Sequence, residues 1–146
     1  FFIANIFTNF EFEFSSPVID LCGTCTACID ACPTEAIINE YVVDAAKCIS
    51  YLTIENKGEI SEKFKGKFDN WIFGCDICQD VCPWNIKFSQ ETFVTEFLRR
   101  KENKELLVDE VINMENKEFK ERFHDSPIIR TKLSGMKRNA EFIKRV

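Results

Sequence analysis

The first fourteen residues alternate apolar and polar side chains and end in Phe10-Glu-Phe12-Glu-Phe14. A period of two lines one face of a strand with apolar groups, so 1–14 predicts a half-buried strand. Its partner sheet is expected upstream, with 1–16 continuing a missing N-terminal domain. Ser15-Ser16-Pro17 reads as a linker. Thr34–Ile38 and Tyr41–Asp44 read as two short strands around Asn39-Glu40, a hairpin. Cys48–Glu55 reads as a helix with Ile49, Leu52 and Ile54 inward, stopped by Asn56-Lys57-Gly58. A further helix is expected from Ser61, a candidate cap, with Phe64 and Phe68 one turn apart on one face.

Beyond Asn85 the pattern changes to helical spacing. Thr92–Arg99, Lys104–Asn113, Asn116–Phe123 and Ser134–Lys144 predict short amphipathic helices, with Leu107/Val111 and Phe119/Phe123 four apart. Ser126-Pro127 fits a cap followed by proline in the first helical turn. The lone histidine, His124, falls at a helix end beside Asp125 and reads as a loop residue and not a catalytic one.

Composition narrows the class. The chain has 146 residues, 45% hydrophobic, with fifteen phenylalanines, which suits a packed core and excludes disorder. No apolar run reaches the length of a membrane span, so no membrane partner is expected. The opening residues begin mid-pattern without a methionine, as a fragment would. The net charge of −5 hides an asymmetry. From Pro127 to Val146 six basic residues (Arg130, Lys132, Lys137, Arg138, Lys144, Arg145) face Glu141 alone, a net +5 that leaves −10 on the residues before it. Such an end is either a solvated helix face or a local phosphate contact.

The chemistry lies in eight cysteines. Cys22-Gly-Thr-Cys25-Thr-Ala-Cys28-Ile-Asp-Ala-Cys32-Pro33 is C-x2-C-x2-C-x3-C-P, a spacing of bacterial iron–sulfur ligation. Three closely spaced thiolates let one loop wrap a cubane, and Pro33 turns the chain away after the fourth. Cys75-Asp-Ile-Cys78-Gln-Asp-Val-Cys82-Pro83 repeats the last three positions, and Cys48 completes the count for two four-cysteine clusters. In two-cluster ferredoxins the cysteine before proline serves the other cluster. Applied here, Cys22, Cys25, Cys28 and Cys82 hold one cluster, and Cys32, Cys48, Cys75 and Cys78 hold the second. Disulfides and structural zinc are the competing readings. Nothing resembles a signal peptide, and the run is not a zinc-ribbon spacing. So many free thiolates imply a reducing cytoplasm. The expected fold is α+β: a ferredoxin-like two-[4Fe–4S] module over 17–88, its hairpin between the cluster loops, then a small all-helical region over 89–146. Gly74 is expected where backbone approaches a cluster or cofactor, and the Trp and Phe beside it dry the surroundings.

Two stretches go beyond a generic ferredoxin: Val43–Glu55, reading Val-Asp-Ala-Ala-Lys-Cys-Ile-Ser-Tyr-Leu-Thr-Ile-Glu, and Gly74–Asn85. With Cys22-Gly-Thr-Cys25 and the ending Ser126-Pro127-Ile-Ile-Arg130 … Gly135-Met136-Lys137-Arg138-Asn139, they resemble the iron–sulfur part of the epoxyqueuosine reductase family, over nearly the whole chain. The resemblance implies an enzyme that reduces epoxyqueuosine in tRNA to queuosine with cobalamin and two [4Fe–4S] clusters. One cluster takes electrons from a low-potential donor and passes them to the other, which reduces the cobalt. The resemblance places the cobalamin domain and catalytic acid upstream, so no catalytic residue is expected here and these residues alone should be inactive. It makes Ser50, Cys75 and Asp76 the cobalamin contacts, with Asp76 equally a helix-start carboxylate. It makes Lys57 a tRNA phosphate contact, against a merely solvated lysine, and implies a monomer. A reductive dehalogenase, which also joins cobalamin to two clusters, and a stand-alone dicluster ferredoxin are the rivals. The C-terminal helices and basic tail are unneeded by the latter.

Overall fold

The computed structural model describes residues 4–98 and 105–144. The expectations on Phe1–Ile3, Arg99, Lys104 and Arg145 lie outside the described residues. Among the described residues, seven short or medium α-helices and one two-stranded hairpin make a mixed chain dominated by helix.

The expected strand over 1–14 is not formed among its described residues. Phe10, Phe12 and Phe14 are 77%, 73% and 103% exposed. An alternating segment gains a strand only where a neighbour takes its backbone hydrogen bonds and covers its apolar face. None of the other described residues does so here.

The cysteine runs form the first helices. Helix α1 (Ala27–Ala31) starts after Thr26 and ends at Cys32, where the following Pro33 disfavours helical backbone. The hairpin follows, β1 (Ile37–Asn39) antiparallel to β2 (Val42–Val43), with Ile37 opposite Val43. Its turn sits one residue later than expected, with Tyr41 at φ +59°. Helix α2 (Ile49–Ile54) buries Ile49, Leu52 and Thr53, while Ile54 is only half-buried. Helix α3 (Ile77–Asp80) carries Cys78, and Pro83 opens α4 (Pro83–Phe88) at the first helical position, which proline suits.

Two helix expectations shrink to single 3-10 turns. Glu62–Phe64 is one turn, Ser61 makes no side-chain cap, and Gly66 at φ +74° takes the chain out of helical backbone. Phe64 and Phe68 are nevertheless both buried, their ring centroids 6.4 Å apart. Thr95–Phe97 is the other, with Phe93 and Phe97 exposed. A short helix without a face to bury lacks the packing that sustains it.

The C-terminal helices match their spacing better. Helix α5 (Val108–Asn113) buries Val111, but Leu107 precedes the helix and is exposed; Leu106 and Val108 pack on the core in its place. Helix α6 (Asn116–Phe123) buries Phe119 and Phe123 on one face, ring centroids 5.1 Å apart. Ser126 caps the Pro127–Thr131 turn by accepting from the Ile128 amide, as its position before proline predicts. Helix α7 (Lys132–Lys144) turns Met136, Ala140 and Ile143 inward at helical spacing and packs on α5 and α2. One apolar core joins Ile49, Leu52, Ile60, Phe64, Phe68 and Ile72 to Val111, Phe123, Met136 and Phe142 from the later helices. Burying a side chain of that size contributes about 1.5–3 kcal/mol. The cysteine elements α1 and α3 pack on each other at the edge of this core. No helix among the described residues is long and apolar enough to cross a membrane.

Candidate iron–sulfur centre

The two cysteine runs repeat one backbone path. Thr26 and Asp76, each following the first cysteine of a C-x2-C-x3-C-P stretch, have φ/ψ of −111°/5° and −114°/8°. Cys32, Cys48 and Cys82 share extended backbone at −70°/110°, −69°/123° and −68°/120°. Equal spacing thus gives equal geometry twice, and the packing of α1 on α3 sets the copies face to face.

All eight cysteines are free thiols; Cys22 and Cys25 are exposed and the other six half-buried. Three of them have other cysteines as charged neighbours. Loss of solvation pushes the Cys22 thiol up, and Asp20, Cys25, Cys28 and Cys82 add to it as neighbouring negative charges. Burial likewise raises Cys75, with Cys78, Cys48 and Cys32 as its charged neighbours. Cys78, raised first by burial, senses Cys48 and, across the α1–α3 contact, Cys28. Charged neighbours thus reach across the two runs, Cys82 beside Cys22 and Cys32 beside Cys75.

A cubane keeps its four thiolates on four different irons. It does not ask ligands to converge on one point, and no three His, Cys, Asp or Glu side chains among the described residues converge to hold a single metal ion. The donor set is all sulfur, which suits an iron–sulfur cluster. Hydrogen bonds already aim at one sulfur. Burial opposes the Cys32 thiolate, but the Ala36 amide (3.3 Å to Sγ), the Thr34 hydroxyl (3.7 Å) and the Thr34 and Ile37 amides outweigh it and hold its pKa down. The turn after Pro33 thus supplies donors that favour a thiolate ligand. At the first run the Cys22 amide donates to Asp20 Oδ1 at 2.8 Å, and Trp84 Nε1 of α4 donates to the Leu21 carbonyl at 2.8 Å. The latter bond brings the residue after Pro83 to the mouth of the first loop.

The other expected site residues divide. Ser50 and Cys75 are half-buried and Asp76 is exposed. Asp76 occupies the cap position of α3 but makes no capping hydrogen bond, so its carboxylate is not used in the helix-start role. The Thr53 hydroxyl donates to the Ser50 carbonyl at 3.3 Å and accepts from the Gly74 amide at 3.0 Å, so the Ser50 turn is tied to the residue before Cys75. Gly74 adopts φ +74°, where a side chain would be strained. Lys57 is exposed and its Nζ donates to the Ile54 carbonyl at 3.3 Å.

Three of the tail's described basic residues have structural work. Arg130 pairs with Glu55 at 2.8 Å and Lys144 with Asp109 at 2.5 Å. Arg138 donates to the carbonyls of Leu52 (2.9 Å), Asn56 (2.6 Å) and Gly58 (2.7 Å), closing the C-terminal end of α2. Asn139 is fully buried and donates to the carbonyls of Thr53 and Ile72. Sequence reasoning missed Thr53, Arg138 and Asn139 as supports of the site. A polar Asn among the inward positions Met136, Ala140 and Ile143 was the available signal.

Fold and site together define an iron–sulfur protein of the double-cluster class: residues 21–85 match the family model described as a 4Fe-4S double cluster binding domain. Over nearly its full length the chain is similar to proteins named epoxyqueuosine reductase. That of Cellulophaga algicola is 49% identical over 99% of the chain and 47% of the relative. That of Leadbetterella byssophila is 51% identical over 100% and 47%. Among solved structures, an epoxyqueuosine reductase crystallised with a tRNA-Tyr epoxyqueuosine-modified stem loop superimposes with a TM-score of 0.82 at 37% identity. The match covers 90% of this chain and 35% of that one. The chain belongs to the epoxyqueuosine reductase family, as its iron–sulfur portion. It spans about half the length of the curated relatives it matches.

Proposed function

We propose that this chain is the electron relay of a cobalamin-dependent reductase that converts epoxyqueuosine to queuosine in tRNA. The observation that carries the reading is a pair of cysteine runs with one backbone path, packed on each other through α1 and α3, with all eight thiols free. Residues 17–88 act as a ferredoxin-like module with Cys22, Cys25, Cys28 and Cys82 on the first cluster. Cys32, Cys48, Cys75 and Cys78 hold the second, and residues 89–146 form the helical region behind it. Removing an epoxide oxygen as water takes two electrons and two protons. Two clusters accept electrons one at a time from a low-potential donor and hold both beside the substrate site.

Cobalamin, when bound, supplies a low-valent cobalt centre as the reductant. Among this chain's residues Ser50, Cys75 and Asp76 suit its edge: Cys75 is itself a second-cluster ligand, Asp76 follows it, Ser50 lies two residues after Cys48, and the Asp76 carboxylate makes no capping bond. These residues orient the cofactor and supply no acid for the reaction. Lys57, Lys132 and Lys137 are the cations proposed to meet the tRNA backbone. The protein works as a monomer in a reducing cytoplasm, where its thiolates survive.

The test is ligand exchange by mutation in the full-length protein. Cys32→Ser should chiefly damage the second cluster and Cys82→Ser the first, resolved by the spectra of the two reduced clusters, and either change should abolish turnover of epoxyqueuosine tRNA. Damage confined to the cluster of each cysteine's own run would overturn the crossed ligation. A wild-type protein loaded with both clusters and cobalamin that leaves epoxyqueuosine tRNA unchanged would overturn the assigned reaction.

A further inference from the structure

Cys48 stands at the start of α2, and Cys75 ends the segment Ile72–Cys75. Two fully buried side chains tie these pieces of backbone together. The Thr53 hydroxyl donates to the Ile49 carbonyl at 2.7 Å, one residue after Cys48, and accepts from the Gly74 amide at 3.0 Å, one residue before Cys75. From α7, the Asn139 amide donates to the Thr53 carbonyl at 2.8 Å and to the Ile72 carbonyl at 2.9 Å. The orientation of that amide is fixed from behind. Its Oδ1 accepts from Arg138 Nε at 3.1 Å and Nη2 at 2.8 Å, leaving only Nδ2 to face the two carbonyls. The buried Thr131 hydroxyl also donates to the Thr53 carbonyl, at 2.8 Å.

We propose that Asn139, acting through Thr53, is a positioning residue for the second cluster: it holds Cys48 at a fixed distance and orientation from Cys75. The inference rests on the cluster reading above and adds a role for the last helix. Hydrogen bonds inside a buried, fully satisfied network resist displacement more than exposed ones, so the ligand pair is held before any cluster binds. The first group is held differently. Its Cys22 and Cys25 are exposed, and its long-range tie from Trp84 to the Leu21 carbonyl is an exposed bond. The last helix therefore supports one cluster of the two.

The experiment uses the full-length protein with both clusters assembled, their signals assigned with Cys48→Ser and Cys22→Ser. Asn139→Leu removes both donors and keeps the branch at Cγ. Thr53→Val keeps the side-chain shape and takes away the acceptor of the Gly74 amide; it carries the test should Asn139→Leu fail to fold. The expected result is a changed spectrum of the reduced second cluster and chelator-driven iron release from it about 10–100-fold faster, the scale on which outer-shell hydrogen bonds act on metal sites. The first cluster should be unaffected, and Thr53→Ser, which keeps the hydroxyl, should restore the wild-type spectrum. Equal changes in both clusters, or wild-type behaviour of Thr53→Val, would overturn the proposal. Absence of two cluster signals in the wild-type protein would instead remove the reading on which it rests.

Discussion

Arg138 offers the sharpest separation of structural from nucleic-acid roles in the basic tail. Its guanidinium reaches the Leu52 carbonyl of α2 and those of Asn56 and Gly58 just beyond it, at 2.6–2.9 Å. Burial lowers its pKa, but an arginine stays charged at neutral pH, so these are charge-assisted bonds at the negative end of a helix. Each such bond contributes about 1.5–3 kcal/mol. The Gly58 carbonyl is exposed and rehydrates readily, whereas those of Leu52 and Asn56 are partly buried. Arg138→Met, which keeps the apolar stem, is therefore expected to cost about 2–4 kcal/mol and not the full sum of three bonds. Arg138→Lys should recover only part of this, because one ammonium cannot span the fork of acceptors. Urea unfolding followed by circular dichroism, under anaerobic conditions and at matched cluster content, reads the difference. A loss for Arg138→Met below about 0.5 kcal/mol, the range of an ordinary surface change, would refute the reasoning. So would a lower salt dependence of tRNA binding in Arg138→Met, since that would place the guanidinium on a phosphate.

Two further predictions address charge elsewhere. The hydrogen bond from Arg122, 2.5 Å long, holds the Glu110 carboxyl below its ordinary value of 4.5. A depressed carboxylate stabilises the fold above its unfolded pKa, so the advantage over Glu110→Gln should be present above about pH 4.5 and fade as pH falls through the folded value. A stability difference that does not shrink on acidification would contradict the pairing; the Glu110 side chain is 39% exposed and screened by solvent, so the difference will be small. Lys132 and Lys137 line one cleft beside Asn116 and Ser134. Lys132→Gln with Lys137→Gln should weaken tRNA binding in the full-length protein and flatten the slope of log affinity against log salt by about one per lysine. An unchanged slope would return both lysines to an ordinary solvated face.

What the sequence disclosed was largely local. The cysteine spacing carries its meaning because C-x2-C fixes backbone geometry within a few residues, and Thr26 and Asp76 accordingly share one conformation. Phe119 and Phe123, or Ser126 before Pro127, are equally short-range signals and form as expected. The alternation over 1–14 forms no strand among the described residues, since a strand is a property of two segments and a pattern shows only one of them. The Phe64 to Phe68 spacing identified two core residues correctly but not their backbone, because Gly66 between them breaks the helix. Arg138 and Asn139 were legible only as charge and polarity. Their acceptors are main-chain carbonyls up to 86 residues away, which no local pattern records. The support of the second cysteine group therefore emerges only when α7 is folded back across α2.

The central claim is that eight thiols hold two cubanes in a redox relay. Anaerobic analysis of iron, acid-labile sulfide and zinc in the assembled protein tests it most directly. Two [4Fe–4S] clusters require about eight iron and about eight sulfide per chain, and that is the result expected. About two zinc with no sulfide would make the cysteines structural and contradict the relay.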